Sequence, residues 1–290
     1  MSQIALCIHV GSLAGAQRGV PLLIDALQAQ HAGATFLLSL GPDQSGRALR
    51  QAVRMARHGG WQTALRGTLL PATEIGKKAA ATLARIEAEG FEAGISAWNR
   101  VAWEQQVEGA DNTAIATDLA RAMTAFTALF GHPPRIFGAP DWQAHRHQLR
   151  LLQRHGFRLG CDCRGRHPFL PVWQGEPFLC PQLPTTLPPL TELLDAGASS
   201  EAAVERLLEL TQHLDTPQVF SLRAEVEGLA HSAALTQLWQ GWQAQGHQLV
   251  ALSHLLAGLD PRQLPYAEIR RGDMPLRPRS LCLQGPDPLV

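Results

Sequence analysis

Short runs with no polar face, alternating with amphipathic stretches, constrain this chain more than any other feature. In Ile4-Ala5-Leu6-Cys7-Ile8 every residue is apolar. A strand of that kind needs cover on both sides, which selects a parallel sheet dressed with helices over an antiparallel sheet with one wet face. The run delivers His9-Val10-Gly11-Ser12 at its C-terminal end, where α/β folds keep their chemistry. Gly19-Val20-Pro21 then opens a helix carrying Leu22, Leu23, Ala26 and Leu27 on one side, with proline tolerated in the first turn. Ala34-Thr35-Phe36-Leu37-Leu38-Ser39-Leu40 follows as a second strand, stopped by Gly41-Pro42-Asp43. This βαβ order favours parallel pairing.

The alternation continues. Residues 44 to 74, punctuated by Gly59-Gly60 and Pro71, are expected to form a long excursion over one end of the fold. Helical periodicity resumes from Glu74 to Glu89, and Phe91 to Ile95 reads as the third strand. A helix capped near Asp111-Asn112-Thr113 runs to about Phe130, where Gly131-His132-Pro133-Pro134 stops it. Then come a strand at Arg135 to Gly138, a helix from Ala144 to His155 and a strand at Phe157 to Asp162. Residues Arg164 to Leu190 are proline-rich and extended, and Ser200 to His213 is the next helix. Gln218 to Leu222 is a strand that presents Arg223-Ala224-Glu225, followed by a helix over Ser232 to Gln245 and a strand over Gln248 to Leu252. One α/β barrel over residues 1–258 is expected, with a proline-rich tail over 259–290 that wraps the barrel or is partly disordered.

Bulk properties exclude several function classes. The 25 basic and 25 acidic residues balance, with no strong block of either sign, so nothing calls for nucleic acid. Arg270, Arg271, Arg277 and Arg279 are the one local excess, read as a solvated tail. Five scattered cysteines, an odd number, make no disulfide framework. The start MSQIALCIHV runs straight into a strand without a basic n-region, and no apolar run approaches the ~20 residues of a spanning helix. The expectation is a cytoplasmic protein with at most peripheral contact with the inner membrane surface.

Several words in this order carry a resemblance: Gly19-Val20-Pro21, Ser39-Leu40-Gly41-Pro42-Asp43, Gly67-Thr68 to Ile75-Gly76, Cys163-Arg164-Gly165 with Pro168-Phe169, Gln182-Leu183-Pro184-Thr185-Thr186-Leu187-Pro188, and Ala224-Glu225-Val226-Glu227-Gly228. Over about residues 4 to 252 the chain resembles the polysaccharide deacetylase superfamily, and within it the branch of the formamidoarabinose-phosphoundecaprenol deformylases and related lipid-linked amino-sugar deacetylases. The resemblance implies an irregular (β/α)₇ barrel. It also implies one divalent metal held by an aspartate and two histidines, an aspartate base and a histidine acid, so that metal and proton carriers together open an amide.

At those positions this chain departs. The Asp-x-Asp pattern falls on His9-Val10-Gly11, so the base position holds imidazole and the metal carboxylate is gone. The metal histidines fall on Ser96 and Arg100, an aspartate between them on Asn99, and the acid histidine on Arg223. Between Gly94 and Trp103 there is no histidine or aspartate at all, so a shifted alignment does not restore the set. Arg100 adds a fixed cation where a dication would sit, which opposes metal binding. No cofactor is therefore expected.

His9 with Asp141 and Glu225 is a thin basis for a rebuilt site, since divalent sites need three or four converging ligands. Asp141 and Glu225 are instead expected to balance Arg100 and Arg223, leaving a polar pocket that either holds an anionic sugar phosphate or is filled by internal ion pairs. Trp98, Trp103, Trp142 and Trp173 sit near strand ends, and with Asn99 and Gln143 are candidates for lining the pocket or for the core. Cys161 and Cys163 form a Cys-x-Cys pair expected to point the same way along a strand, with Cys180 nearby, and buried thiols are the commoner outcome. The histidines of His145-Arg146-His147 and those from His231 to His254 offer no ligand spacing and read as surface or capping residues. The resulting expectation is an inactive deacetylase relative that binds or regulates an active paralogue or a lipid-linked sugar; the alternative is a deacetylase working through rebuilt residues.

Overall fold

The computed structural model describes residues 2–44, 73–214, 216–275, 277 and 279–287. Apart from its two ends, the expected excursion over 44 to 74 lies outside these residues, as does the Gly67-Thr68 part of the resemblance.

Strands β1 (Gln3–Val10), β2 (Thr35–Leu38), β3 (Glu92–Ile95), β4 (Ile136–Phe137), β5 (Leu159–Gly160) and β8 (Gln218–Arg223) form a curled parallel sheet in the order β5-β4-β3-β2-β1-β8. Strand β1 is its axis. Ile4 to His9 pair with Gln218 to Arg223 on one side. On the other side Cys7 to Val10 pair with β2, and Gln3 to Ala5 pair with β9 (Gln248–Val250). The extended segment 181–187 bridges the two outer strands: Leu183 N–H donates to Gly160 O, and Thr186 and Leu187 N–H both donate to Val219 O. That segment acts as the seventh stave of an irregular α/β barrel.

The period-two alternation of β1 divides the core. Ile4, Leu6 and Ile8 face the helices, whereas Ala5 and Cys7 face the barrel interior with Leu37, Ile136, Leu159, Cys161, Leu183 and Val219. His9 continues the inward series, so it emerges at the mouth of the barrel. Small residues let the next loops approach closely: a side chain on Gly19 would overlap Ala224 O.

Element boundaries differ from expectation in instructive places. The helix expected over 74–89 is interrupted at Ala79, giving Ile75–Lys78 and Ala80–Ala88. The helix expected from Ala144 begins at Arg146, because His145 acts as its cap and accepts from His147 N–H. Residues 164–190 are not merely extended: Leu170–Trp173 (β6) and Glu176–Pro177 (β7) make a hairpin. Its Gln174-Gly175 turn is left-handed. This hairpin continues into the tail, where β6 pairs with Tyr266–Gly272 (β10) and β10 with Leu281–Gln284 (β11). The described part of the tail thus wraps the barrel as sheet.

Of the tail arginines expected in solvent, Arg270 is exposed, whereas others anchor that wrap. Arg271 donates to Gln143 Oε1 at 2.7 Å, and Arg279 donates to Glu104 O at 3.0 Å.

All five cysteines are free and buried. The two of the Cys-x-Cys pair part company, because β5 ends at Gly160 and the chain turns: Cys161 faces the barrel interior, while Cys163 joins the outer core with Cys282 and Cys180. Burial pushes the Cys7, Cys163 and Cys180 thiols up, and Cys282 to about 11. Thiolate being the reactive form, the native protein should resist an aromatic disulfide reagent and release five thiols only when unfolded.

Candidate functional site

The C-terminal ends of the strands open into a cavity of about 420 Å³, lined among others by His9, Gly11, Ser96, Arg100, Asp141, Trp142, Arg223 and Glu225. The positions His9, Gly11, Ser96, Arg100 and Arg223 that the resemblance singles out therefore converge, although they lie at the ends of three different strands and His9 and Arg223 are 214 positions apart in sequence.

Arg100 is the centre of the arrangement. Asn99 caps the helix Arg100–Gln106 by accepting from Ala102 N–H at 3.1 Å, which fixes where the Arg100 side chain starts. The guanidinium then crosses the barrel mouth: Nε donates to Gly11 O at 3.2 Å and Nη1 pairs with Glu104 at 2.8 Å. A Cβ on Gly11 would overlap Arg100 Cδ and lie 2.5 Å from Nε. Arg100 thus fills the space that any side chain at position 11 would need. Ser96 spends its hydroxyl on Gly138 O at 2.7 Å.

These residues do not fit a divalent cation. Glycine supplies no side-chain donor, the serine hydroxyl is engaged, and a buried guanidinium repels positive charge. Among the described residues no three His, Cys, Asp or Glu side chains converge as a ligand group. His9, Asp141 and Glu225 therefore line one cavity without forming such a group.

The arginines pair internally, but not as expected. Arg100 takes Glu104, four residues on, rather than Asp141 or Glu225. Arg223 does reach Asp141, at 3.5 Å, and its N–H donates to Glu227 at 3.0 Å. Burial opposes the Arg223 charge, but Glu104, Asp141, Glu225 and Glu227 outweigh it and raise its pKa. Glu225, buried, accepts Gly11 N–H at 3.3 Å. Arg277 joins from the tail: it pairs with Asp141, and its Nε donates to Glu192 at 2.8 Å. Its guanidinium lies 4.5 Å from the centre of the Trp142 ring, with that of Arg164 at 5.1 Å. Asp141 and Trp142 both have left-handed backbone, φ 52° and 54°, a cost that the ion pairs and the Trp142 Nε1 bond to Thr185 offset.

Three candidates lie off the cavity. Trp98 packs on Gly41, and its N–H with that of Asn99 donates to Asp118. Asn99 is occupied as a cap. Gln143 is a strut, its carbonyl accepting from Trp103 and its amide donating to Ser280 O. Of the four tryptophans, Trp142 alone lines the cavity; Trp103 is core, packed on Phe137. Glu104, Glu192 and Arg277 were missed. The Arg100–Glu104 spacing was a readable signal, whereas nothing in sequence brings Arg277 to Asp141.

His9 is nearly surrounded. Burial first, then the cations of Arg223 and Arg100, lower its pKa to about 4, with Asp141 offsetting part of this. Asp162, buried and held by Gln182, Gln148 and Ala139 N–H, is instead raised to about 6, burial being the cause. The two act oppositely on stability. A lowered histidine favours folding above its unfolded pKa and loses that as pH falls through about 4; a raised carboxyl favours folding at low pH and loses that as pH rises through about 6. Between those values the contributions oppose each other. The His9 ring proton signal should titrate near 4, and His9→Gln should leave a protein whose stability increases on acidification from pH 6 to 4.

With the geometry in place, comparison with known proteins gives a consistent picture. No protein-family model matches the chain. It is 27% identical over 249 residues to the "Probable 4-deoxy-4-formamido-L-arabinose-phosphoundecaprenol deformylase ArnD" of Shewanella sediminis, covering 82% of this chain and 80% of that one. Its fold is similar to that of the "putative polysaccharide deacetylase from Mycobacterium smegmatis", with TM-score 0.65, 14% identity and coverage of 94% of this chain and 96% of that one. It is also similar, at TM-score 0.56 and 12% identity, to a pseudoenzyme of carbohydrate esterase family 4 from Bacillus anthracis, covering 88% of this chain and 65% of that one.

Proposed function

We propose that this chain, which has the polysaccharide deacetylase fold and a sequence similar to the formamidoarabinose-phosphoundecaprenol deformylase branch, is a catalytically inactive relative that binds or regulates an active deacetylase in lipid-linked amino-sugar metabolism. The observation that carries this reading is the placement of Arg100. Its guanidinium fills the space beside Gly11 and is ion-paired in a buried setting, so the barrel mouth holds a permanent internal cation. The neutral His9 imidazole faces Arg223 where the resemblance places an acid, leaving no second proton carrier of the expected type. That the same fold houses a pseudoenzyme in Bacillus anthracis supports the reading. Among the described residues no helix is long and apolar enough to cross a membrane; a cytoplasmic location, with contact to the inner membrane surface, belongs to the proposal.

The test is an amide-hydrolysis assay on a formamido- or acetamido-sugar lipid, with this protein alone, with an active paralogue alone, and with both. No turnover alone and a changed rate of the paralogue are expected. Turnover by the purified chain, abolished by His9→Gln or Asp141→Asn, would overturn the reading.

A further inference from the structure

The strands β3, β4 and β5 begin at a second cavity, of about 570 Å³, at the pole opposite the barrel mouth. Its walls include Phe91, Ile136, Leu256 and Leu259, and its polar side chains include Arg135 and Arg158. None of the positions that the resemblance singles out lies there, so the cavity stands apart from the inactive-relative reading.

Strand direction puts the two arginines side by side. Each immediately precedes a member of the Ile136–Leu159 register pair, and Arg158 N–H donates to Arg135 O at 2.7 Å. Neighbouring strands lie about 4.8 Å apart, so two fixed cations start from adjacent rungs, an arrangement that costs stability when nothing separates them. Arg135 spends one donor on Gly156 O at 3.0 Å. Among the described residues neither guanidinium has a carboxylate within ion-pair distance. The two acids of the cavity serve other groups: Glu87 pairs with His132 at 2.9 Å, and Glu92 accepts from the Thr35 hydroxyl and from Ser253 N–H. Outside the described residues the sequence holds a single acidic side chain, Asp215.

Guanidinium donors match the oxygens of a carboxylate, and open apolar walls gain by being covered. A small inorganic anion would use only the first property, and an uncharged hydrocarbon only the second. We propose that this cavity binds a carboxylate carried on a short aliphatic chain, the oxygens bridging Arg135 and Arg158 and the chain lying against Phe91, Ile136, Leu256 and Leu259. Such a ligand relieves the repulsion between the cations and covers the apolar wall together. The cavity is of the size that takes a small ligand.

The full chain is titrated with octanoate, kept below its micelle-forming concentration, with octanol and with acetate. The ring-proton signals of His132, which lines the same cavity, are followed by NMR and assigned by their loss in His132→Gln. Octanoate is expected to saturate, with the others at least roughly tenfold weaker: octanol lacks the charge-assisted hydrogen bonds, and acetate lacks the methylenes that would be buried. Arg135→Gln and Arg158→Gln, both at exposed positions, should each weaken octanoate roughly tenfold and leave octanol unchanged. Octanol or acetate binding as tightly as octanoate, octanoate affinity unmoved by both substitutions, or no saturable shift at His132 would each overturn the proposal. Neither hydrolysis nor metal content enters this test, so its failure would leave the inactive-relative reading standing.

Discussion

Arg100→Ala is expected to lower the stability of the folded chain by about 3–5 kcal/mol, the range seen when one member of a buried ion pair is deleted. Arg100 and Glu104 are each almost fully buried, at 6% and 9% exposure. Removing the guanidinium leaves the Glu104 carboxylate without this cation in a low-dielectric setting, and it also frees Gly11 O and opens a void at the barrel mouth. Arg100→Ala with Glu104→Ala should recover part of the loss, since the carboxylate that Arg100 pairs with is then gone as well. Urea unfolding of the single and double variants measures this, and a loss below about 1 kcal/mol, as for a surface pair, would show that the pair is solvated.

Gly11→Ala is expected to cost about 1–3 kcal/mol, as for overpacking a filled core. The added methyl would overlap Arg100 Cδ, and the arginine cannot yield without loosening its bonds to Gly11 O and Glu104. The two positions should therefore be coupled: in Arg100→Ala protein the added methyl should be nearly free, giving an interaction energy of about 1–3 kcal/mol in a double-mutant cycle. Additive effects would mean that Arg100 does not occupy this space. The same geometry explains why restoring an aspartate at position 11 alone should not restore a metal site. Position 100 has to be emptied first.

Much of this was legible in the sequence. The run Ile4 to Ile8 located β1, the axis of the sheet, because an apolar run with no wet face has few places to go, and Gln218 to Leu222 before the words Ala224-Glu225-Val226-Glu227-Gly228 located the outer strand β8 that pairs with it. The convergence of His9, Gly11, Ser96, Arg100 and Arg223 was what the resemblance implied, since it assigns all five to one site. What stayed hidden depends on contacts between distant segments. Residues 181–187 read as part of a proline-rich extended segment, and only their hydrogen bonds to Gly160 and Val219 make them a barrel stave. Arg277 looked like a solvated tail residue, yet it pairs with Asp141 across 136 positions. Glu104 was readable, one helical turn from Arg100, and was passed over in favour of more distant carboxylates. Trp98, Asn99 and Gln143 were placed at the cavity by proximity in sequence, but side-chain direction sends each to a structural bond instead.

A guanidinium standing where the resemblance places a metal leaves no room for one, and metal analysis is the decisive experiment. Protein purified without chelator is analysed for bound zinc, cobalt and nickel, and the metal-stripped protein is then titrated with zinc by calorimetry. No stoichiometric metal and no saturable zinc binding that depends on His9 or Asp141 are expected. One zinc per chain, lost on changing either residue, would contradict this.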